Sequence, residues 1–348
     1  MFTGWLPLRV FFPTSRIALA SKSSGSLVLQ IRTYINHQEL ESLSSLWNSL
    51  YREEQSTIFQ RFDWNQLAAQ SFAAQEGSFV VSAEASWGAA IIPAVVRYSD
   101  SSLRLLGEEL FDYRGFLHRG DQEALHAALG ALVPVWRPLE IVAMRESEAR
   151  SHDFGLERIP FSGAPYVSPQ HISADEFGHK HRRLGRNLRR LKQLGFEYRT
   201  HNGSNAALIR TIYKLKAGQD RESLFHDSNR VEFLAQLAKL DSSRFEIFTL
   251  ESGTYLAAAL VTLRDGSCRR FYTGYFHAAL SKLSPALSLI YQVTQQSLED
   301  GLTCDYMTGE QPYKLRLATD CVPLYRMKAS SEQLSALAAR HLDARQAA

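Results

Sequence analysis

The chain has 348 residues, of which 45% are hydrophobic and 22% are charged. That length accommodates one large or two ordinary domains with real cores, and the composition is that of an ordinary soluble globular protein. Cys268, Cys304 and Cys321 are too few and too scattered for a disulfide framework or a zinc site, so we expect reduced, mostly buried thiols. No apolar run approaches the ~20 residues that a membrane-spanning helix needs.

The net charge is only +3, but its distribution is uneven. Between His179 and Lys192 there are seven Lys or Arg residues and no acid. Removing these seven from the 39 basic residues leaves 32, against 36 acidic residues. The positive charge is therefore local, and a local basic patch indicates a local anionic partner.

The N-terminal half begins after a predicted poorly ordered extension at 1–26. Arg9, Pro13 and Arg16 interrupt the apolar core that a secretory signal needs, which leaves a transit-type address as the alternative. Hydrophobic periodicity then predicts a first set of elements. They are a strand at 27–34, a helix at 38–51, a helix from about 63, strands at 78–84, 87–97 and 102–106, a helix at 121–133 and a strand at 139–144.

A second set of elements repeats the order hairpin, loop, helix, strand roughly 165 residues later, a spacing typical of duplicated domains. The predicted elements are a helix at 174–194, a strand at 196–200, helices at 205–216 and 229–240, strands at 245–250, 255–264 and 267–276, a helix at 286–299, a strand at 303–307 and a C-terminal helix or tail at 331–348.

A polar cluster follows the last predicted strand, within residues 304–316. Ser284 fits the N-cap of the preceding helix, Pro285 its first turn and Gly301 its end. α/β proteins build ligand sites from a strand, a loop, a helix and a second strand that ends in polar residues.

The order and spacing of this cluster resemble the end of the acetyltransferase domain of the CelD/BcsL type, a branch of the GNAT superfamily. The Ser284–Pro285 loop and the basic run at 180–192 fall where that family has similar features. The likeness is strongest over 175–328, weaker over 27–174, and departs from the family at Ala286, where glycine is usual. The residues that match the cluster are Asp305, Gly309, Glu310, Tyr313, Lys314 and Arg316.

The resemblance implies an α/β fold of two tandem GNAT-like halves, with mixed sheets flanked by helices, in the manner of the FemAB proteins. The halves would be residues 27–172 and 173–330, with the donor site in the second. It also implies acyl-CoA-dependent N- or O-acyl transfer by direct attack, without a metal. The acceptor would be a small molecule or glycan linked to exopolysaccharide, such as cellulose, or to cell-envelope synthesis.

Acyl transfer requires a binding site for the phosphates of the donor. The free N–H groups at a helix N-terminus, together with the helix dipole, provide such a site. We expect the loop before residue 286 and the basic helix to bind acetyl-CoA or another acyl-CoA. The candidate cofactor-binding residues are Arg182, Arg186, Arg189, Tyr275, Lys282, Ser284 and Arg316.

The transfer also requires a base and an acid. Asp305 lies on an apolar strand, where it is either a base with a raised pKa or the partner of Arg316 or Lys314 in an ion pair. Glu310 and Tyr313 are the other acid–base candidates, and Lys314 is also a candidate electrostatic anchor.

Asp112 and Tyr113 occupy the corresponding loop of the first half and are assigned to acceptor binding or to scaffolding. We expect them to face Tyr275, Asp305, Glu310 and Tyr313 across a cleft.

Two other functions stay open. One is FemAB-like aminoacyl transfer from charged tRNA, with the basic helix holding the RNA, although the run lacks the interleaved aromatic residues of many RNA sites. The other is a non-catalytic binding protein that kept the fold and lost the ability to bind the cofactor. We expect a cytoplasmic protein that is able to associate with a membrane surface or a synthesis complex.

Overall fold

A computed structural model describes residues 29–52, 56–107, 109–146, 148, 156–336 and 339. The predicted extension at 1–26 lies outside the described residues, as does most of the segment 331–348. Of that segment, residues 331–336 are helical.

The elements of the first half match the predicted order. Two segments went unpredicted, β5 and β7, and β7 contains Pro160, Gly163 and Pro165, which usually mark the end of a strand. The elements are β1 (Gln30–Tyr34), α1 (His37–Leu40), α2 (Ser44–Leu50), α3 (Phe62–Ser71), β2 (Glu76–Ala85), β3 (Gly88–Arg97), β4 (Leu103–Leu105), β5 (Leu117–Gly120), α4 (Gln122–Gly130), β6 (Leu139–Arg145) and β7 (Glu157–Val167).

The second half differs from prediction in three places. The helix predicted at 174–194 is two helices separated at His181, Pro312 begins a short helix, and the strand β13 went unpredicted. The elements are α5 (Ala174–Lys180), α6 (Arg182–Gln193), β8 (Glu197–Asn202), α7 (Ala206–Ala217), α8 (Ser228–Leu240), β9 (Phe245–Ser252), β10 (Tyr255–Asp265), β11 (Cys268–Phe276), α9 (Pro285–Glu299), β12 (Thr303–Asp305), α10 (Pro312–Leu317) and β13 (Asp320–Ala329).

Within the described residues, all strands join one mixed sheet in the order β1-β2-β3-β4-β6-β13-β7-β12-β11-β10-β9-β8, with β5 paired to β3. The last strands of the two halves are exchanged. β7 follows β6 in sequence but pairs with β12, whereas β13 follows β12 but pairs with β6. β7 and β13 also pair with each other in the antiparallel sense, so the halves are joined at the centre of the sheet.

The backbone repeats between the halves even though the side chains differ. Left-handed conformations recur 164 or 165 positions apart at Ser101 and Gly266, Gly120 and Ser284, Trp136 and Gly301, and Ala143 and Met307. A residue with a side chain rarely adopts a positive φ, so the coincidence reflects one chain path used twice. The predicted duplication is confirmed, while the boundary at 172/173 stays a prediction.

One of the hydrophobic core clusters is built from residues of both halves. Trp64 of α3 stacks on Phe245 of β9 with ring centroids 5.7 Å apart, and its indole N–H donates to Asp241 at 3.2 Å. Phe72 packs against Phe233 of α8 in the same cluster. The halves are therefore packed together along this face, which fixes the position of one relative to the other.

Candidate functional site

The strands β11 and β12 separate at the end of the second half. They pair in parallel over only three residues each, ending at Arg270 and Asp305, whereas β11 continues to Phe276. The Phe271 and Tyr306 rings pack edge to face at 5.1 Å just beyond this point. Farther along, a Cβ placed on Gly274 would meet no atom within 4 Å. From Phe271 to Phe276, the edge of β11 that faced β12 pairs with no other strand among the described residues.

The loop between β11 and α9 leads directly from this opening to a helix N-terminus. Ser284 precedes α9 in a left-handed conformation with φ 47°, and its side chain makes no capping hydrogen bond. Pro285 and Ala286 begin the 15-residue helix, so the N–H groups of Ala286 and Leu287 have no acceptor within it. Lys282 is exposed in the same loop. Anions bind in proteins to N–H groups and cations of this kind at a helix N-terminus, so phosphate binding by this loop stays a prediction.

The basic helix α6 packs beside α9 and contacts the loop before it. The contact is close because Gly185 faces Tyr291, whose hydroxyl lies 3.1 Å from where a Cβ of that glycine would be. Arg182, Arg186 and Arg189 repeat at helical spacing and are all exposed. None of the three forms an ion pair within the described residues, so their charges are available to an anion.

Asp305 is the centre of a buried network. Its Oδ1 accepts hydrogen bonds from the Tyr113 hydroxyl at 2.6 Å and from the Met307 N–H at 2.7 Å. Its Oδ2 pairs with Arg270, and that guanidinium also pairs with Asp265 at 2.7 Å. Only 8% of Asp305 is exposed. Both carboxylate oxygens are therefore occupied by donors, which is the geometry of an ion-pair partner.

The partner of Asp305 differs from the two that were predicted. It is Arg270 rather than Arg316 or Lys314. The Lys314 ammonium instead donates to the carbonyls of Thr308 at 2.8 Å and Met307 at 3.2 Å. Burial lowers the pKa of Lys314, and the carboxylates of Asp112 and Asp305 oppose this shift. Lys314 therefore anchors the turn after β12.

The loop of the first half reaches the same place. The Arg270 guanidinium lies over the Tyr113 ring, 4.9 Å from its centroid, and Tyr113 is almost wholly buried. Desolvation raises the pKa of Asp112, and the neighbouring Asp305 carboxylate adds to the increase. Tyr272 of β11 also donates to the Leu110 carbonyl at 2.6 Å. The two loops meet in a packed contact and not across an open cleft.

The other predicted residues lie around this network. Tyr275 is 5% exposed and belongs to the shared core, while Tyr313 packs partly buried against the cluster beneath α9. Arg316 is exposed. Desolvation and the charge of Lys180 lower the pKa of His181, and the charge of Arg316 adds a smaller contribution in the same direction. Glu310 is exposed, beside Gly163 of β7. The structure thus joins Asp112, Tyr113, Asp305 and Lys314, and sets Glu310 and Tyr275 apart.

Sequence reasoning missed two members of the network, Arg270 and Asp265. Both stand in strands otherwise rich in apolar and aromatic residues, and a charge at such a position requires a partner. That signal marks them as paired residues, but it does not identify the partner, because Asp305 is 35 positions from Arg270.

The chain is similar to known proteins in its second half and in its fold. Residues 178–315 match the acetyltransferase (GNAT) domain family, which covers α6 to α10. No curated protein sequence is significantly similar to the chain. The fold is that of the GNAT acetyltransferases, present as two tandem halves, as predicted.

Three solved structures show the same fold. The C-terminal domain of a putative lysylphosphatidylglycerol synthetase from Agrobacterium fabrum is 10% identical, with a TM-score of 0.53 over 87% of this chain and 96% of that one. A protein of unknown function from Bacteroides thetaiotaomicron is 8% identical, with a TM-score of 0.55 over 86% and 100%. FemX is 10% identical, with a TM-score of 0.51 over 85% and 96%.

Among the described residues, no helix is both long enough and apolar enough to span a membrane.

Proposed function

We propose that the protein is an acyl-CoA-dependent N- or O-acyltransferase. The observation that carries this proposal is the opening between β11 and β12 next to the N-terminus of α9. There an unpaired strand edge, free helix N–H groups and exposed cations converge. The GNAT family match over 178–315 covers all three parts.

The parts fit the shape of an acyl-CoA. Its pantetheine arm is an extended chain with two amides, and an open strand edge binds such a chain by alternate backbone hydrogen bonds. Its phosphates fit the N–H groups of Ala286 and Leu287, with Lys282 and the Ser284 hydroxyl beside them. Arg182, Arg186 and Arg189 supply bidentate donors for the remaining phosphate oxygens. When bound, the cofactor supplies an activated acyl group.

The acid–base roles divide by exposure. Asp305 is enclosed with both oxygens occupied, so we assign it to holding the β12 turn and the loop of the first half in register. Lys314 performs the same anchoring from the other side. Glu310 is the exposed carboxylate of this segment, and Tyr313 retains partial exposure, so these two suit proton exchange with an acceptor.

The acceptor class rests on the resemblance to the CelD/BcsL type. We propose a cytoplasmic step of exopolysaccharide or cell-envelope synthesis, in which an amine or hydroxyl of a small molecule or glycan precursor is acylated. Asp112 and Tyr113 would contribute by fixing the position of the first half, residues 27–172, against the donor half, residues 173–330.

A second candidate is aminoacyl transfer from charged tRNA. The specific observation that favours it is the surplus of charge, because α6 also carries Arg183, Arg190 and Lys192, all exposed and without an ion-pair partner in the described chain. The likeness to FemX shows only a shared fold and does not choose between donors.

Calorimetry with acetyl-CoA and with tRNA in parallel tests the proposal. Replacing Arg182 and Arg186 with Ala removes charge-assisted bonds worth roughly 1.5–3 kcal/mol each, and acetyl-CoA should bind correspondingly less tightly. The double variant Arg210→Ala, Lys239→Ala, on the helix pair α7 and α8, removes the same number of charges and is the control. The salt dependence should be shallow for acetyl-CoA and steep for a tRNA. Tight, salt-sensitive tRNA binding without acetyl-CoA binding would establish the second candidate instead.

A further inference from the structure

A second stripe of the basic helix points away from α9. Arg183, Arg190 and Leu194 follow one another at i, i+7 and i+11, which places them on one side of α6. The stripe of Arg182, Arg186 and Arg189 lies about a quarter turn around the helix. Leu194 is 61% exposed, and neither Arg183 nor Arg190 forms an ion pair within the described residues.

Aromatic residues lie beyond the C-terminal end of this stripe, beginning with Phe196, two positions after Leu194. Phe196 packs against Tyr255 with centroids 5.8 Å apart, and Tyr255 packs against His277 at 4.7 Å. Tyr255 and Phe276 are each 39% exposed. We call these residues, with Arg183, Arg190 and Leu194, the basic–aromatic edge.

Two acidic residues next to this edge are neutralised by an arginine. Glu197 and Glu251 both pair with Arg199, at 2.9 Å and 3.1 Å. The edge therefore combines unpaired positive charge with exposed apolar and amphipathic side chains. An exposed apolar side chain costs free energy in water. Several of them at one edge indicate a surface that binds another protein or a membrane.

We propose that the basic–aromatic edge docks on an anionic phospholipid membrane. Arginines attract the negative leaflet, and aromatic and leucine side chains enter the headgroup region, where one end of each ring stays wet. Because the edge adjoins the loop at 278–283, docking would hold that loop close to the membrane. The inference concerns the location of the protein and does not depend on the acyl donor.

The chemistry favours lipid over nucleic acid at this edge. Single-stranded RNA binds by stacking bases on free aromatic faces. Here the Phe196, Tyr255 and His277 rings pack against each other, and the most exposed apolar group, Leu194, is aliphatic. A leucine inserts into a bilayer interface but offers no stacking surface to a base.

Vesicle co-sedimentation of the full chain tests the proposal, with phosphatidylcholine vesicles and with vesicles that also contain phosphatidylglycerol. We expect binding only to the anionic vesicles, and weaker binding as salt is raised. The double variant Arg183→Gln, Arg190→Gln should bind about 25-fold less tightly, at about fivefold for each arginine. Leu194→Ser should weaken binding by about tenfold without any change of charge.

Two comparisons keep the test specific. The double variant Arg210→Gln, Lys239→Gln makes the same change of net charge on α7 and α8, and it should bind the vesicles as the wild type does. All variants should keep acetyl-CoA affinity, because the residues of the cofactor stripe are intact. The proposal fails if the two double variants lose binding equally, if Leu194→Ser has no effect, or if the wild type binds tRNA but neither vesicle.

Discussion

The Tyr113 hydroxyl donates a 2.6 Å hydrogen bond to Oδ1 of Asp305, which lies 192 positions later in the chain. The bond joins the loop of the first half to β12 of the second half. Tyr113 has φ 54°, and Met307, which donates to the same oxygen, has φ 65°. Two strained residues are thus held by one carboxylate, which indicates that the surrounding contacts are strong enough to impose the conformation.

Replacing Asp305 with Asn tests whether the carboxylate is structural or catalytic. The amide is nearly isosteric but leaves Arg270 with Asp265 as its remaining carboxylate partner. We expect the free energy of unfolding to fall by about 3 kcal/mol, toward the lower end of the range for breaking a buried pair. Urea unfolding measures the loss, beside an acyltransfer assay. Full stability with complete loss of turnover would return Asp305 to the role of base.

Replacing Tyr113 with Phe removes one donor to a buried carboxylate and leaves the ring in place. The free energy of unfolding should fall by about 1.5–2 kcal/mol, as for a hydrogen bond to a charged group. Tyr34→Phe is a matched control, since the Tyr34 hydroxyl is buried and makes only a 3.4 Å contact with Ser82. That variant should lose about 0.5 kcal/mol. Equal losses in the two variants would contradict a special role for the Tyr113–Asp305 bond.

The lowered pKa of Lys314 predicts a dependence of stability on pH. Between that pKa and the ordinary value of 10.5, the unfolded chain binds more protons than the folded one. The free energy of unfolding of the wild type, relative to Lys314→Met, should therefore rise with pH in that window. The slope has a limit of about 1.4 kcal/mol per pH unit. Denaturant unfolding from neutral to alkaline pH measures it, and a flat difference would show that the pKa of Lys314 is not lowered.

Ser284 allows stability and cofactor binding to be separated. Its left-handed conformation costs a residue with a side chain about 1 kcal/mol, and its hydroxyl makes no cap bond. Ser284→Gly should therefore stabilise the fold by about that amount. If the hydroxyl binds a phosphate, the same variant should bind acetyl-CoA about tenfold less tightly. A more stable variant with unchanged affinity would remove Ser284 from the cofactor site.

Gly274 tests the opening beside β11. A Cβ there would meet no atom within 4 Å, so we expect Gly274→Leu to fold normally and to place its side chain on the face of β11. We expect acetyl-CoA affinity to fall by about tenfold or more. Ala207→Leu introduces the same side chain at an exposed position on α7 and should leave affinity unchanged. Normal binding by the Gly274 variant would place the pantetheine arm elsewhere.

The hydrophobic pattern alone predicted most elements, because strands and helices bury one face and that periodicity is local. The hairpin of β9 and β10 and the helix α9 appear nearly where the apolar runs place them. The duplication was also visible in the order of elements, and the basic helix in its composition.

The strands β7 and β13 were not predictable in the same way. Pro160 and Gly163 in β7 and Pro323 in β13 indicate turns when the sequence is considered by itself. They become strands because each lies against the other half's sheet, where pairing and burial outweigh local propensity.

The sequence by itself determined the repeated α/β halves and the polar residues that end β12, since periodicity, caps and charge runs are properties of neighbouring positions. Only the tertiary structure decided how those residues are used. It pairs Asp305 with Arg270 and Tyr113 instead of Arg316 or Lys314, and it leaves Glu310 exposed. The physical reason is that ion pairing in an interior depends on which strands meet, and the exchange of β7 and β13 sets that arrangement across more than a hundred residues of chain.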